Sequence, residues 1–227
     1  MTGRPAAFFD LDGTVVASDI VRYGVEIVTA EKSGWERRLW IAGLLSKVPW
    51  YLFLDSFSRA AFQRAFYRVY GGMTPEALEE RAEAMFHHYV RPRVRPEAEA
   101  RIRRHAARGE PVVFVTGSVE PIVLPVARHL GVRHVLAPRL EVEDGRLTGE
   151  LAGAPLAGRR KGEAVAAWAE EHGVDLEVSA GYADSVDDVP MLERVGRPAV
   201  VNPGRRLLDL AVARGWEILR WGLPEAA

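Results

Sequence analysis

The sequence predicts an α/β fold, a mostly parallel sheet packed between helices, on three observations. From Pro92 onward, short apolar runs alternate with helical periods, the rhythm of a parallel sheet covered on both faces. Between Asp19 and Val90 that rhythm gives way to consecutive helical periods, which read as an insertion into the core. The segment RLEVEDGRLTGEL places Asp144–Gly145 between two strands, the residue pair favoured in a type I′ hairpin turn.

The elements follow in order. Ala6–Asp10 (AAFFD) is a short apolar strand that stops at an acidic turn. IVRYGVEIV, ERRLWIAGLL, FSRAAFQRAFYRVY and PEALEERAEAMFHHYV supply about four helices, divided at Ser33–Gly34, Pro49 and Gly71–Gly72. Thr74–Pro75–Glu76 is a helix start with proline near the first helical position. A helix over Glu97–Arg108 leads to the strand Pro111–Thr116, and a helix over Val119–Leu130 leads to a short strand within Val132–Ala137. After the hairpin come a helix over Gly162–His172, the strand LEVSAGY, a short helix from about Asp188, the strand PAVVN and a last helix near Arg206–Arg214. The expected architecture is a Rossmann-like three-layer core from residues 1–18 and 92–227, an α-helical cap from 19–91, and the β-hairpin.

Composition narrows the function classes. The chain has 227 residues, 48% hydrophobic and 27% charged, enough for one large domain or a core with a smaller insert. Thirty Lys+Arg against 31 Asp+Glu give a net charge of −1, so no electrostatic case for nucleic-acid binding arises. The lack of cysteine excludes disulfide scaffolds, thiolate metal sites and cysteine nucleophiles. The N-terminus MTGRPAAFFDLDG reaches charge too soon for a signal peptide. The most apolar stretch, Leu39–Leu54, is shorter than the ~20 residues of a spanning helix and is interrupted by Lys47 and Pro49. A cytoplasmic protein without a membrane span is expected. Gln63 and Asn202 are the only amide side chains, and Lys32, Lys47 and Lys161 the only lysines. Scarce Asn, Gln and Cys belong to the thermophile pattern, so a heat-adapted source is also expected.

Four segments carry chemistry. In Asp10-Leu11-Asp12-Gly13-Thr14, residues two apart along a continuing strand face the same way, which brings two carboxylates together at the strand end. Such a pair needs a cation or a shared proton, and an all-oxygen site suits Mg²⁺; the plainer reading is a solvated acidic turn. Thr116-Gly117-Ser118 joins an apolar strand to a helix, where a hydroxyl and free amides form a phosphate site or an ordinary cap. Lys161 begins a helix against the macrodipole, which a bound anion would offset; otherwise it is a surface lysine beside Arg159 and Arg160. In Gly181-Tyr182-Ala183-Asp184-Ser185-Val186-Asp187-Asp188, three acids in five residues exceed what capping requires. Asp184 is the natural additional metal ligand there, with Asp188 supporting the ligand shell or Lys161.

Taken together, DLDGT, VFVTGS, Lys161 and GYADSVDDVPML resemble the four motifs of the haloacid dehalogenase superfamily of phosphatases, from Asp10 to about Pro203. The helical insert after the first motif and the hairpin are similar to the phosphoserine-phosphatase-like branch. The resemblance implies that Asp10 is a nucleophile forming an aspartyl-phosphate and Asp12 the general acid and base. It implies Mg²⁺ held by Asp10, the Asp12 main-chain carbonyl and Asp184, with Asp188 and Asp187 in support. Thr116, Gly117 and Lys161 would bind phosphoryl oxygens. Asp187 stands where this branch usually has Asn. The dehalogenases of the superfamily lack the second aspartate, so Asp12 favours phosphate-ester hydrolysis.

For substrate, the resemblance implies a small phosphorylated metabolite such as phosphoserine, with Asp19 meeting an ammonium and Arg64 a carboxylate. The plainer readings are a helix N-cap for Asp19 and a solvated face for Arg64. Trp40, Trp50, Tyr51, Phe53, Phe57, Phe62, Phe66, Tyr67 and Tyr70 fit the core of the cap. The alternatives are an apolar mouth for a larger, lipid-like phosphomonoester, or a homodimer surface on the cap. His87–His88 read as surface histidines, since adjacent helical residues do not face each other. Phosphoryl transfer to an acceptor other than water is also open. A non-catalytic phosphate- or partner-binding member is a rival that loss of Asp10, Asp12, Lys161 or Asp184 would have favoured, and all four are present.

Overall fold

The computed structural model describes residues 3–222, apart from the side chain of Asp55. Its strands are β1 (Ala7–Phe9), β2 (Val112–Val115), β3 (His134–Leu136), β4 (Leu140–Glu143), β5 (Arg146–Leu151), β6 (Ala180–Ala183), β7 (Arg197–Val201) and β8 (Glu217–Leu219). Six of them form one sheet in the order β3-β2-β1-β6-β7-β8, with all neighbours parallel. Every residue of β1, β2 and β6 is buried, which is why these strands read as unbroken apolar runs.

The helices are α1 (Ile20–Thr29), α2 (Gly34–Ser46), α3 (Val48–Phe57), α4 (Arg59–Tyr67), α5 (Pro75–Met85), α6 (Pro96–Ala107), α7 (Glu120–Leu130), α8 (Arg159–Glu171), α9 (Val189–Leu192) and α10 (Arg205–Arg214). Alternation along the strands builds a core on each side of the sheet. Phe9 and Phe114 face Ile102 of α6 and Val123 of α7, together with the helices of the insert. Phe8 and Val113 face Trp168 of α8, Met191 of α9 and Leu207 of α10. The outcome is the expected three-layer α/β core.

The hairpin β4–β5 is antiparallel, and Asp144 (φ 49°) and Gly145 (φ 72°) both have the positive φ of a type I′ turn. It is tied to the helical insert by main-chain bonds between Gly72 and Leu147 and between Leu147 and Met73, each 2.8 Å.

Three local expectations change. The insert has five helices, because Pro49 lies in the first turn of α3, where proline lacks no intrahelical bond, and so starts a helix there. LEV in LEVSAGY is a 3₁₀ turn at Leu176–Val178: Asp175 Oδ1 accepts the Glu177 amide at 3.0 Å and bends the chain before β6 begins. A strand beyond the expected last helix, β8, is added at the sheet edge; with Glu217 and Ile218 exposed, it lacks the buried apolar run that marks the inner strands. Among the described residues, no helix is long and apolar enough to cross a membrane.

Candidate active site

Strand β1 delivers Asp10 to the C-terminal edge of the sheet, and its amide donates to the Tyr182 carbonyl of β6 at 2.9 Å. Here the strand order departs in both directions, toward β2 and β3 on one side and β6 to β8 on the other. The loops part and leave a crevice. Beyond Asp10 the chain turns tightly, with the Val15 and Val16 amides both returning to the Leu11 carbonyl at 2.9 Å. Gly13 makes this turn with φ +85°, and a Cβ on it would lie 2.2 Å from Asp184 Oδ2. Only glycine lets the two acidic loops meet.

Lys161, buried in the first turn of α8, donates to Asp10 Oδ1 at 2.5 Å and to Asp188 Oδ1 at 2.6 Å. Burial opposes its charge, but the attraction of Asp10 and Asp188 prevails and its pKa is raised. The Thr14 hydroxyl donates to Asp184 Oδ1 at 2.9 Å. Asp12 turns the other way: its Oδ2 accepts from the hydroxyls of Thr116 (3.0 Å) and Ser118 (2.7 Å), while Oδ1 is buried without a hydrogen bond. Burial raises the pKa of Asp12, opposed by those two hydroxyls, so its proton is held more firmly than an exposed aspartate would hold it.

Asp10, Asp184 and Asp188 bring carboxylate oxygens within 4.8 Å of one another. Burial first, then the charges of Asp10 and Asp188, pushes Asp184 up to about 8; burial and Asp10 push Asp188 up to about 6 despite Lys161. One lysine does not neutralise this cluster, and its all-oxygen donors fit a hard divalent cation such as Mg²⁺. The sign of the pH dependence follows. Both folded pKa values exceed the ordinary 3.8, so the metal-free fold binds more protons than the unfolded chain up to about pH 8 and loses stability as pH rises toward that value. A Mg²⁺ ion bound there would have to displace those protons. It is expected to raise the melting midpoint more at pH 8 than at pH 5, and equal increments in a thermal scan would count against a cation at these carboxylates.

A cleft of about 240 Å³ opens over the cluster, lined by Asp10, Asp12, Lys161, Asp184, Asp187 and Asp188 among others. Gly117 and Asp19 line it too. Thr116 is fully buried behind it, with its hydroxyl on Asp12 and accepting the Ser118 amide. Asp19 is also the N-cap of α1, its Oδ1 accepting the Val21 and Arg22 amides at 3.0 Å, so its plainer reading holds beside the functional one. Arg64 is not brought to the site: it is exposed on α4 and does not line the cleft. His87 and His88 are exposed, within 3.4 Å of Glu83 and Glu26, respectively.

In place of Arg64, α4 presents Arg59, Gln63 and Tyr67, spaced by four and therefore on one face. Arg59 and Gln63 line the cleft, and the Tyr67 hydroxyl donates to the Gly117 carbonyl. A Cβ on Gly117 would lie 2.0 Å from Gln63 Nε2, so this glycine is what admits α4 to the site. Gln63 Oε1 is buried without a partner. Arg59 and Gln63 were not expected as site residues, and Thr14 and Ser118 lay within the expected segments but had no role of their own. The rarity of amides marked Gln63, and the apolar stripe through Phe62 and Phe66 marked the inward face of α4.

Buried carboxylates, one locked lysine and hydroxyls at the crest of a parallel sheet define an α/β enzyme built to handle phosphate. Residues 7–193 match the haloacid dehalogenase-like hydrolase family. The chain belongs to this family, in its phosphoserine-phosphatase-like branch, and is a phosphatase. It is 34% identical over 232 residues to a probable phosphatase of Mycobacterium tuberculosis, covering 97% of this chain and 77% of that one. It is 30% identical over 214 residues to a phosphoserine phosphatase of the same species, covering 94% and 70%. A solved structure of substrate-bound phosphoserine phosphatase shares the fold, with a TM-score of 0.69 at 20% identity over 96% of this chain and 94% of that one.

Proposed function

We propose that the protein is a Mg²⁺-dependent phosphomonoester hydrolase that works through an aspartyl-phosphate on Asp10, on a small phosphorylated metabolite. Residues 1–18 and 92–227 act as the catalytic core, of which 1, 2 and 223–227 lie outside the described residues, and 19–91 act as a helical cap. The observation that carries this reading is Lys161 locked between Asp10 and Asp188 in a cleft that also holds Asp12 on two hydroxyls.

In the first step an Asp10 oxygen attacks phosphorus and the ester P–O bond breaks, with Asp12 giving its proton to the leaving alkoxide. In the second, Asp12 takes a proton from a water that attacks the acyl-phosphate, the Asp10–phosphorus bond breaks, and both residues return to their starting states. The raised pKa of Asp12 suits a group that must hold a proton and then release it. Asp10, Asp184 and the Asp12 main-chain carbonyl would hold Mg²⁺, with Asp188 and Asp187 in support. When bound, the ion supplies neutralisation of charge between aspartate and phosphate. Gly117 and Lys161 receive the phosphoryl oxygens, and Thr116 holds the Gly117 loop and Asp12 in register.

Phosphoserine heads the substrates to test, because Asp19 lies at the cleft. The test is phosphate release from phosphoserine, sugar phosphates, nucleotides and a lysophosphatidate, with Mg²⁺ and with chelator, at moderate and high temperature. Release that chelator abolishes is expected. A rate that keeps rising well above 60 °C would carry the heat-adapted reading, since ordinary mesophile domains melt at about 45–65 °C. No release from any ester would favour the phosphate-binding reading instead.

A further inference from the structure

A second cavity of about 360 Å³ abuts the cleft along Asp19, Ile20 and Arg59, residues common to both linings. Away from that shared edge its character changes. Leu44, Val48, Tyr51, Leu52, Phe62 and Val21 line it, and its ionic groups, Asp19, Arg22 and Arg59, are few. Asp19 and Arg22 are partly occupied with each other at 3.4 Å. The volume lies in the range of pockets for small organic ligands, about 300–1,000 Å³.

The helices that wall this chamber are unusually apolar for what they bury. Of the described side chains of α2 and α3, only Leu44 is buried, whereas Leu52 is 65% exposed while it lines the chamber. Among the aromatic residues read as cap core, Phe62, Phe66, Tyr67 and Tyr70 are indeed buried, but Trp50, Phe53 and Phe57 are not. The insert therefore keeps an apolar hollow beside a charged cleft instead of closing over it.

We infer that this chamber is a subsite for the alcohol part of the substrate, and that the preferred substrate is a phosphomonoester of an apolar alcohol. The inference rests on the hydrolase reading above. A phosphate held at Asp10 and Lys161 sends its ester oxygen out of a small polar cleft, and the edge shared with the chamber offers apolar contact. An alkyl chain crossing Ile20 reaches Val48 and Phe62, while the amino and carboxyl groups of phosphoserine would be met by Asp19 and Arg59 at the shared edge and would leave the apolar chamber beyond it unfilled.

The experiment is kcat/KM for phosphate release by the full chain with Mg²⁺, measured on ethyl, butyl and hexyl phosphate. Their alcohols leave almost equally well, so a trend reports binding. Burial of a methylene contributes roughly fourfold, so a gain of at least about tenfold from ethyl to butyl is expected, and a further gain to hexyl. Val48→Asp places a carboxylate in the chamber at the first turn of α3, where a negative charge is compatible with the helix. It is expected to lower the hexyl-to-ethyl ratio by about tenfold or more. Val48→Trp, which fills the chamber without charge, is expected to lower the same ratio and serves if the first variant does not fold. A flat or falling series in the wild type overturns the subsite, as does a ratio unchanged in a folded variant. Failure of the hydrolase reading looks different, because then no ester in the series releases phosphate.

Discussion

Asp10→Asn is expected to abolish turnover, lowering kcat by on the order of 10⁴-fold or more, while the folded protein becomes no less stable. The first half follows from the proposed nucleophile: an amide of the same shape cannot form the acyl-phosphate. The second half comes from the electrostatics. Burial raises the pKa of Asp10, Lys161 lowers it and Asp12 raises it again, and the balance is upward. A carboxylate whose pKa is raised by folding costs stability when it is ionised at neutral pH, and the neutral amide removes that cost. Lys161 keeps Asp188 as its partner. Thermal scans of the metal-free proteins at pH 7.5, together with steady-state kinetics, check both halves. Turnover within tenfold of wild type would remove Asp10 from the role of nucleophile. A fall of several degrees in the melting midpoint would show that the Asp10–Lys161 pair outweighs the desolvation of Asp10.

Much of this site was legible because its parts sit at strand ends. An apolar run of three or four residues followed by an acid or hydroxyl has few ways to fold, and Asp10, Thr116 and Asp184 each follow one. Parallel packing then brings those ends to one edge. Lys161 was weaker as a sequence signal, and its worth emerges only from two oxygens on one nitrogen. The helical insert was the harder part. Which face of a helix meets a site formed by distant residues depends on tertiary packing, so Arg64 was matched by its place in the sequence and not by its place on the wheel. Phe62 and Phe66 pack inward, their rings 5.7 Å apart, and Arg59 and Gln63 flank them on the same stripe. Arg64 lies about 200° from Phe62 and about 160° from Phe66, at 100° per residue, and is left in solvent. The hollow beside Val48 was legible only as an alternative, an apolar mouth on the cap: an apolar sequence states that a residue avoids water, not whether protein or ligand covers it.

Lys161→Met is the complementary experiment, and its effect on stability is expected to run in the opposite direction. Methionine fills a similar volume without charge, and leaves Asp10 and Asp188 buried with no cation between them. Removing one partner of a buried ionic group costs about 3–5 kcal/mol, because the remaining charges stay desolvated. That cost depends on conditions in a way that a simple packing defect does not. Lys161 lowers the pKa of Asp188, which stands at about 6 with the lysine present, so in the variant Asp188 keeps its proton to a higher pH; in acid one of the two charges is gone and the loss is smaller. Mg²⁺ supplies positive charge to the same cluster, so it is expected to restore part of the melting midpoint at pH 8 and less at pH 5. Turnover is expected to fall by about 10²–10³-fold even with saturating metal, since a preorganised donor for the transferring phosphoryl group is lost. Thermal scans across pH with and without Mg²⁺ separate the possibilities. A loss of stability that is the same at every pH and indifferent to the ion would make Lys161 a packing residue, and the charge balance argued for this cleft would fall with it.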